Sequence, residues 1–304
     1  MDIESLIDND YMDSVDARLD TQQAYIEYQK QEAHRALAFL SRYFDTSSAH
    51  VLELGTGYGG KGITYAAQGM QVTALDVDWQ SLELARATAE EHQVCIDFLA
   101  GDGTRLPFGE CTFDAVLLDS VIEHVSDPAA LLRECARIVK NGGIVFVVFP
   151  PFYGPLSGHI DDYVMIPWFH LLPHRVVKRY LMSLNQRKGI LTSERSYAVY
   201  ASLNGLTVFH FERYARAAGL KFEYFRVRPF LTHPGMRLTA GFIGALRHPP
   251  RMLQVRQVLR RARREFDLGT LLVFFLLSVL APLVFVPFVQ EIAAGGCKAV
   301  LKKV

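Results

Sequence analysis

The stretch Val51-Leu52-Glu53-Leu54-Gly55-Thr56-Gly57-Tyr58-Gly59-Gly60 runs from apolar residues straight into a cluster of glycines. The apolar run predicts a strand over 50–54, the glycines a tight turn, and the residues from Lys61 to Gln68 a helix over 60–68. Glycines at alternate positions permit positive φ and let a ligand lie against bare backbone where that helix begins. Gly55, Gly57 and Gly60 also satisfy the G-x-G-x-x-G spacing of dinucleotide-binding folds, so the turn alone leaves an NAD-dependent oxidoreductase open. Glu53 weighs the other way. A carboxylate two residues before the first glycine repels a pyrophosphate and attracts an ammonium.

Four stretches taken together resemble class I S-adenosylmethionine-dependent methyltransferases of the small-molecule type, closely over 51–149 and more loosely over 207–229. Glu53, Gly55, Gly57 and Gly59 match the family's first motif, and Asp76 ends an expected second strand over 71–76. Asp102 lies in Ala100-Gly101-Asp102-Gly103-Thr104-Arg105-Leu106-Pro107-Phe108, Asp119 ends a strand over 113–118, and Asn141-Gly142-Gly143 precedes a strand over 144–149. The resemblance implies that S-adenosylmethionine is the cofactor and that Glu53, Gly55, Thr56, Gly57 and Gly59 surround its methionyl end. It further implies that Asp76, beside Val77, accepts hydrogen bonds from the ribose hydroxyls, that Asp102, beside Gly103, holds the adenine amino group, and that Asp119 also lines the site.

The fold expected is α/β: a Rossmann-like, doubly wound, mostly parallel sheet with helices on both faces, joined to a C-terminal apolar helical insertion. Strands and helices alternate through the first half, with helices over 79–92 and 127–140 and a further strand over 95–100, and such alternation builds a parallel sheet. Asp127-Pro128 forms an N-cap and N1 pair, and Asn141-Gly142 reads as that helix's stop. An N-terminal cap over 1–45 contains a helix with apolar side chains at helical spacing between Thr21 and Phe44. The core occupies 46–149 and continues at 207–230 with a helix near 207–218 and a strand over 221–228. An acceptor-site insertion or lid, rich in aromatic residues and histidines, fills 150–206. A membrane-contacting insertion covers 231–296, and residues 297–304 form a last strand of the core.

Lys plus Arg and Asp plus Glu number 32 each, so no global field recruits nucleic acid. Cys95, Cys111, Cys135 and Cys297 form no C-x-x-C pair, which argues against a disulfide framework and a zinc site; no metal is expected. Met1-Asp2-Ile3-Glu4-Ser5 lacks a basic and an apolar region of the secretory kind, placing the chain on the cytoplasmic side.

Methyl transfer from a sulfonium is an in-line displacement, which requires alignment, a dry site and a base where the acceptor is a hydroxyl. His124, just beyond the fourth strand, is the first candidate base, and His159 in the insertion the second; His124 can equally serve only to shape the pocket. Residues 268–289 carry no charge, and as one helix would reach about 33 Å, against a hydrocarbon core of about 30 Å. Before them, Arg251, Arg256, Arg260, Arg261, Arg263 and Arg264 share a helical pattern with Met252, Val255, Val258, Leu259, Ala262 and Phe266, as in helices that lie on anionic membranes. Pro282 and Pro287 interrupt the run, and the return strand at 297 puts both flanks on one side. Peripheral or monotopic contact through 251–290 is therefore expected, on the inner face of a membrane, with a lipid-like or lipid-linked acceptor. A buried helical hairpin, a dimer interface, and a membrane-associated scaffold without activity remain alternatives.

Overall fold

The computed structural model describes residues 21–160, 163–164, 166–184, 187–188, 191–229 and 289–304, with positions 272, 276, 279, 280, 283 and 286. The basic helix expected over 251–266, and most of the charge-free run after it, lie outside the described residues. In chain order the elements are α1 (Gln22–Leu40), β1 (His50–Leu54), α2 (Gly60–Ala67), β2 (Gln71–Asp76), α3 (Trp79–Glu91), β3 (Ile96–Ala100), β4 (Phe113–Asp119), α4 (Pro128–Ile138) and β5 (Val139–Phe149). There follow α5 (His174–Leu184), β6 (Arg187–Lys188), β7 (Leu191–Thr192), α6 (Ser193–Ala201), α7 (Val208–Ala217), β8 (Leu220–Pro229) and β9 (Ala294–Lys303). They fall into two compact units: the described part of Ala17–Phe149, with Ser202–Arg226 and Cys297–Val304, makes the first, and the described parts of Pro150–Ala201 and Val227–Gly296 belong to the second.

The first unit is built on a seven-stranded sheet in the order β3-β2-β1-β4-β5-β9-β8. Strands β3, β2, β1, β4 and β5 are parallel, and β9 runs antiparallel to β5, with Ile144 opposite Lys302 and Phe149 opposite Cys297. This is the doubly wound α/β fold expected, and the return strand is in the sheet. Side chains alternate across it as strand geometry requires. On β4, Val116 and Leu118 join Leu131, Leu132 and Phe211 beneath α4 and α7, whereas Ala115 and Leu117 join Ala33, Leu40 and Tyr65 of α1 and α2. Where a strand is buried on both faces its residues must be apolar, which is why 115–118 reads as an unbroken hydrophobic run, with Asp114 and Asp119 at its less buried ends.

Helix starts follow from side chains at their caps. Thr21 Oγ1, Asp78 Oδ1, Asp127 Oδ1 and Thr207 Oγ1 accept the N–H groups of Ala24, Gln80, Ala130 and His210. The end of α4 departs from the expected 140. The helix stops at Ile138, because Val139 already pairs with Phe113 and the Ile138 carbonyl accepts the Thr112 N–H. Residues 140–143 then bulge before Ile144 pairs with Ala115, with Gly142 at φ +76° and Lys140 Nζ held 2.8 Å from Asp114 Oδ1. Asn141-Gly142 thus turns a bulge inside β5 instead of ending the helix.

In the second unit α5 and α6 pack together, joined through the β6–β7 hairpin, in which Arg187 faces Thr192. Tyr200 is buried and donates its hydroxyl to the His170 carbonyl at 3.0 Å, while His170 Nε2 lies 2.7 Å from the Phe152 carbonyl. Burial lowers the pKa of His170 and favours its neutral form. Among the described residues no helix is long and apolar enough to cross a membrane.

Helix α1 meets the glycine turn at van der Waals range. A Cβ on Gly60 would lie 2.7 Å from Gln29 Cβ and 2.8 Å from the Ile26 carbonyl, a backbone atom that cannot swing away. Gly60→Ala should push α1 off α2 and lower stability by about 1–3 kcal/mol, read as a reduced urea midpoint with an unchanged slope.

Candidate functional site

Strand order reverses between β1 and β4: from β1 the chain proceeds outward through β2 and β3, then returns to β4 and proceeds the other way. The loops leaving β1 and β4 therefore part, and a crevice opens at the carboxyl ends of the strands. A cleft of about 420 Å³ occupies this place, lined among others by Gly55, Asp76, Asp102, Val121, His124 and Leu131.

The first wall is the glycine turn. Gly55, Gly57 and Gly59 sit at φ +68°, +54° and +81°. A side chain at Gly55 would collide with Val121 of the loop after β4, so the two loops can approach only because one has no side chain. Asp76 ties the turn down. Its Oδ2 accepts the Gly57 N–H at 2.9 Å and its Oδ1 accepts the Asp78 N–H at 3.0 Å. Each oxygen keeps a lone pair, and Asp76 and Val77 both face the cleft. Asp102 Oδ1 accepts the Thr104 N–H at 2.9 Å, and these Thr104 hydrogen bonds hold its carboxyl below the usual range. Gly103 also lines the cleft, and a Cβ there would lie 2.9 Å from Leu131.

Beneath the turn is a second group. Glu53 is buried on β1, with Oε2 accepting the Thr56 hydroxyl at 2.9 Å, and a Cβ on Gly62 would come within 2.6 Å of that oxygen. Burial pushes the Glu53 carboxyl up to about 7, against the pull of Lys61 and the Thr56 hydroxyl, with Asp119 and Asp76 adding to the rise. Lys61 Nζ pairs with Asp119 Oδ2 at 2.6 Å. Burial alone would lower the pKa of Lys61, but Asp119 outweighs it and keeps the ammonium charged. Glu53, Thr56, Gly57, Gly59 and Asp119 are thus brought together around the turn, outside the lining of the cleft, whereas Gly55, Asp76, Val77, Asp102, Gly103 and His124 line it.

The remaining wall is the loop after β4. Ser120 stands at φ +60°, uncommon for a residue with a side chain, and its N–H donates to the Val148 carbonyl. Asn204 fastens the loop from behind: Nδ2 donates to the carbonyls of Ile122 and Val125, both at 2.8 Å, and its N–H donates to the Glu123 carbonyl at 2.9 Å. His124 Nδ1 lies 2.8 Å from Ser202 Oγ. His159 belongs to the second unit, at φ +53°. The sequence reading missed Lys61, Ser202 and Asn204. Lys61 alone carried a signal there, as a cation in the first turn after the glycines.

A methyltransferase-domain family model matches residues 52–147, which contain the glycine turn, both cleft carboxylates and the loop after β4. Residues 52–147 are a class I methyltransferase domain. Domains of this class use S-adenosylmethionine, and the residues present suit it: a bare glycine turn, two carboxylates just at or past the strand ends, and apolar Leu131 and Val121 on the same lining. A demethylmenaquinone methyltransferase of Renibacterium salmoninarum is 34% identical over 117 residues, 38% of this chain and 48% of that protein. A ubiquinone biosynthesis O-methyltransferase of Xanthomonas oryzae pv. oryzae is 36% identical over 112 residues, 36% of this chain and 47% of that protein. The chain spans about half the length of these curated relatives. Among solved structures, the cyclase SpnF superposes with a TM-score of 0.51 at 17% identity, covering 96% of this chain and 85% of its own. A protein of Galdieria sulphuraria, named as a candidate sarcosine dimethylglycine methyltransferase, gives 0.51 at 13%, covering 93% and 87%. These two likenesses concern the fold alone, and a cyclase among them illustrates that the methyltransferase fold does not dictate the reaction.

The buried acid gives the domain a pH signature. With a carboxyl near 7 in the folded domain and 4.5 as its ordinary value, the folded state binds the extra proton between those limits. Stability is therefore full below about pH 4.5 and falls as pH rises to about 7, by on the order of 3 kcal/mol. Glu53→Gln should remove that decline and be the more stable protein at pH 8, as measured by thermal midpoints across the pH range without ligand.

Proposed function

We propose that the chain moves a methyl group from S-adenosylmethionine to a small, lipid-like acceptor. The observation that carries this reading is the convergence of Asp76 and Asp102 on one cleft beside the Gly55 turn. S-adenosylmethionine, when bound, supplies an electrophilic methyl carbon on its sulfonium. Asp76, with both oxygens already oriented by backbone N–H groups, accepts hydrogen bonds from the ribose hydroxyls through its remaining lone pairs. Asp102, held ionised, accepts from the adenine amino group. Glu53 and Asp119, two carboxylates around one lysine, bias the turn toward the cationic methionyl end. His124 stands on the cleft with Ser202 behind it and removes the acceptor's proton.

Support for the acceptor class comes from two directions. The relatives are named for menaquinone and ubiquinone biosynthesis, whose quinones are lipid-like. The basic and charge-free segments over 251–290 have the pattern of a membrane-contacting insertion, and Leu272, Leu276, Val279 and Val286 are exposed where described. Peripheral attachment to the inner face of a membrane follows from the same pattern.

Asp76→Ala should weaken S-adenosylmethionine binding by roughly 1.5–3 kcal/mol in calorimetry, with NAD giving no heat in the parent protein. Unchanged affinity in the folded variant would remove the ribose role. His124→Ala should keep cofactor affinity and lose turnover by about 10²–10⁴-fold. Turnover is followed by mass spectrometry of lipid extracts, as an acceptor gaining one methylene unit; normal turnover would leave His124 a pocket-shaping residue.

A further inference from the structure

The second unit carries a surface that the methyltransferase reading does not use. Between Tyr163 and Ser193 the sequence holds five Lys or Arg residues and no Asp or Glu. In this stretch the structure exposes large apolar side chains, from 38% for Tyr180 through Leu172 and Val176 to 56% for Ile166. Scattered exposed apolar residues are ordinary, but here they are ordered by a helix.

Three stripes run along α5, each one residue out of step with the next. Val177 and Leu181 are fully buried and fasten the helix to its unit. One position earlier, Val176 and Tyr180 form a second i, i+4 stripe that is exposed, and Leu172, just before the helix, continues it. One position earlier again, Arg175 and Arg179 form a third stripe, exposed and basic. Successive helical residues are about 100° apart, so the exposed apolar stripe lies between the buried face and the basic edge. At the entry to the helix, Trp168 is pinned in a left-handed conformation, φ +60°, with its indole N–H donated to the Tyr153 carbonyl at 3.1 Å.

We propose that α5, with the loop leading into it, is a docking surface for an anionic phospholipid membrane. An apolar stripe bordered by arginines, with tryptophan and tyrosine at its margin, is complementary to an interface of acyl chains beneath negative headgroups. An acidic protein would match the arginines and leave Val176 and Leu172 in water. A second copy would meet a surface of its own sign, since this stretch holds no acidic residue to offer in return. The assignment is separate from the expected contact through 251–290: it concerns another segment and does not depend on the acceptor.

The test is flotation of the full chain with vesicles of phosphatidylcholine, with and without phosphatidylglycerol. The parent protein should float with the anionic vesicles. Arg175→Gln with Arg179→Gln should weaken that binding roughly 30-fold, following the usual contribution of a basic side chain near a charged membrane. Leu172→Ser with Val176→Ser should also reduce it, at the same charge. Both pairs are exposed, so the thermal midpoint and S-adenosylmethionine affinity should stay at the parent values. A third variant, Arg260→Gln with Arg264→Gln, separates the two membrane readings. Flotation that survives both α5 variants and disappears in the third would overturn the role of α5 and leave the contact through 251–290. A parent protein that ignores anionic vesicles would overturn both. Sedimentation showing a dimer that Val176→Ser dissociates would assign the face to a second copy and refute the proposal.

Discussion

Within eight residues, four glycines each face a different part of the first unit, and none has room for a methyl group. Gly55 faces Val121 beyond β4, Gly59 faces Ala85 of α3, Gly60 faces Ile26 and Gln29 of α1, and Gly62 faces the carboxylate of Glu53. The elements around the turn meet at backbone distance because these four positions lack side chains. Close-packed interiors leave no slack to absorb an added methyl, so the glycines set the spacing of the helices as much as they expose backbone to a ligand. The cleft is what remains when these approaches are satisfied at the point where the sheet changes direction.

That geometry explains why a carboxylate can be kept beneath the turn. Glu53 is enclosed by Gly62 and Thr56, and its charge is opposed by burial and by two other carboxylates, with Lys61 the largest compensation. A buried acid that resists ionisation costs stability near neutral pH, and such costs concentrate at functional sites. A cation arriving at the turn would relieve part of it. Binding energy and proton release are then coupled at one residue, through ordinary electrostatics.

Much of this was legible in the residues, and for definite reasons. The β1 turn was readable because glycine spacing and apolar runs are local signals, and β4 because burial on both faces leaves its central residues, 115–118, all apolar. Asp127-Pro128 announced α4 through capping chemistry. What escaped depends on contacts distant in sequence. Asn204 fastens Ile122 and Val125 from some eighty residues away, and nothing in Ser202-Leu203-Asn204 declares it. The early end of α4 was likewise hidden, since it follows from the pairing of Val139 with Phe113, while Asn141-Gly142 imitates a helix stop. In α5 the stripes are visible in the sequence, but which of them is buried is decided by packing.

The placement of β9 bears on how the chain is made. Strand β5 carries buried Val145 and Val147, and its outer edge is paired by β9, whose residues come nearly half the chain later. During synthesis the parallel strands can assemble and the cleft can close while that edge still presents unpaired N–H and C=O groups over an apolar surface. An open edge of this kind is a template for pairing with another chain. The edge therefore stays open for as long as the intervening chain takes to emerge, and the arrival of β9 closes that interval.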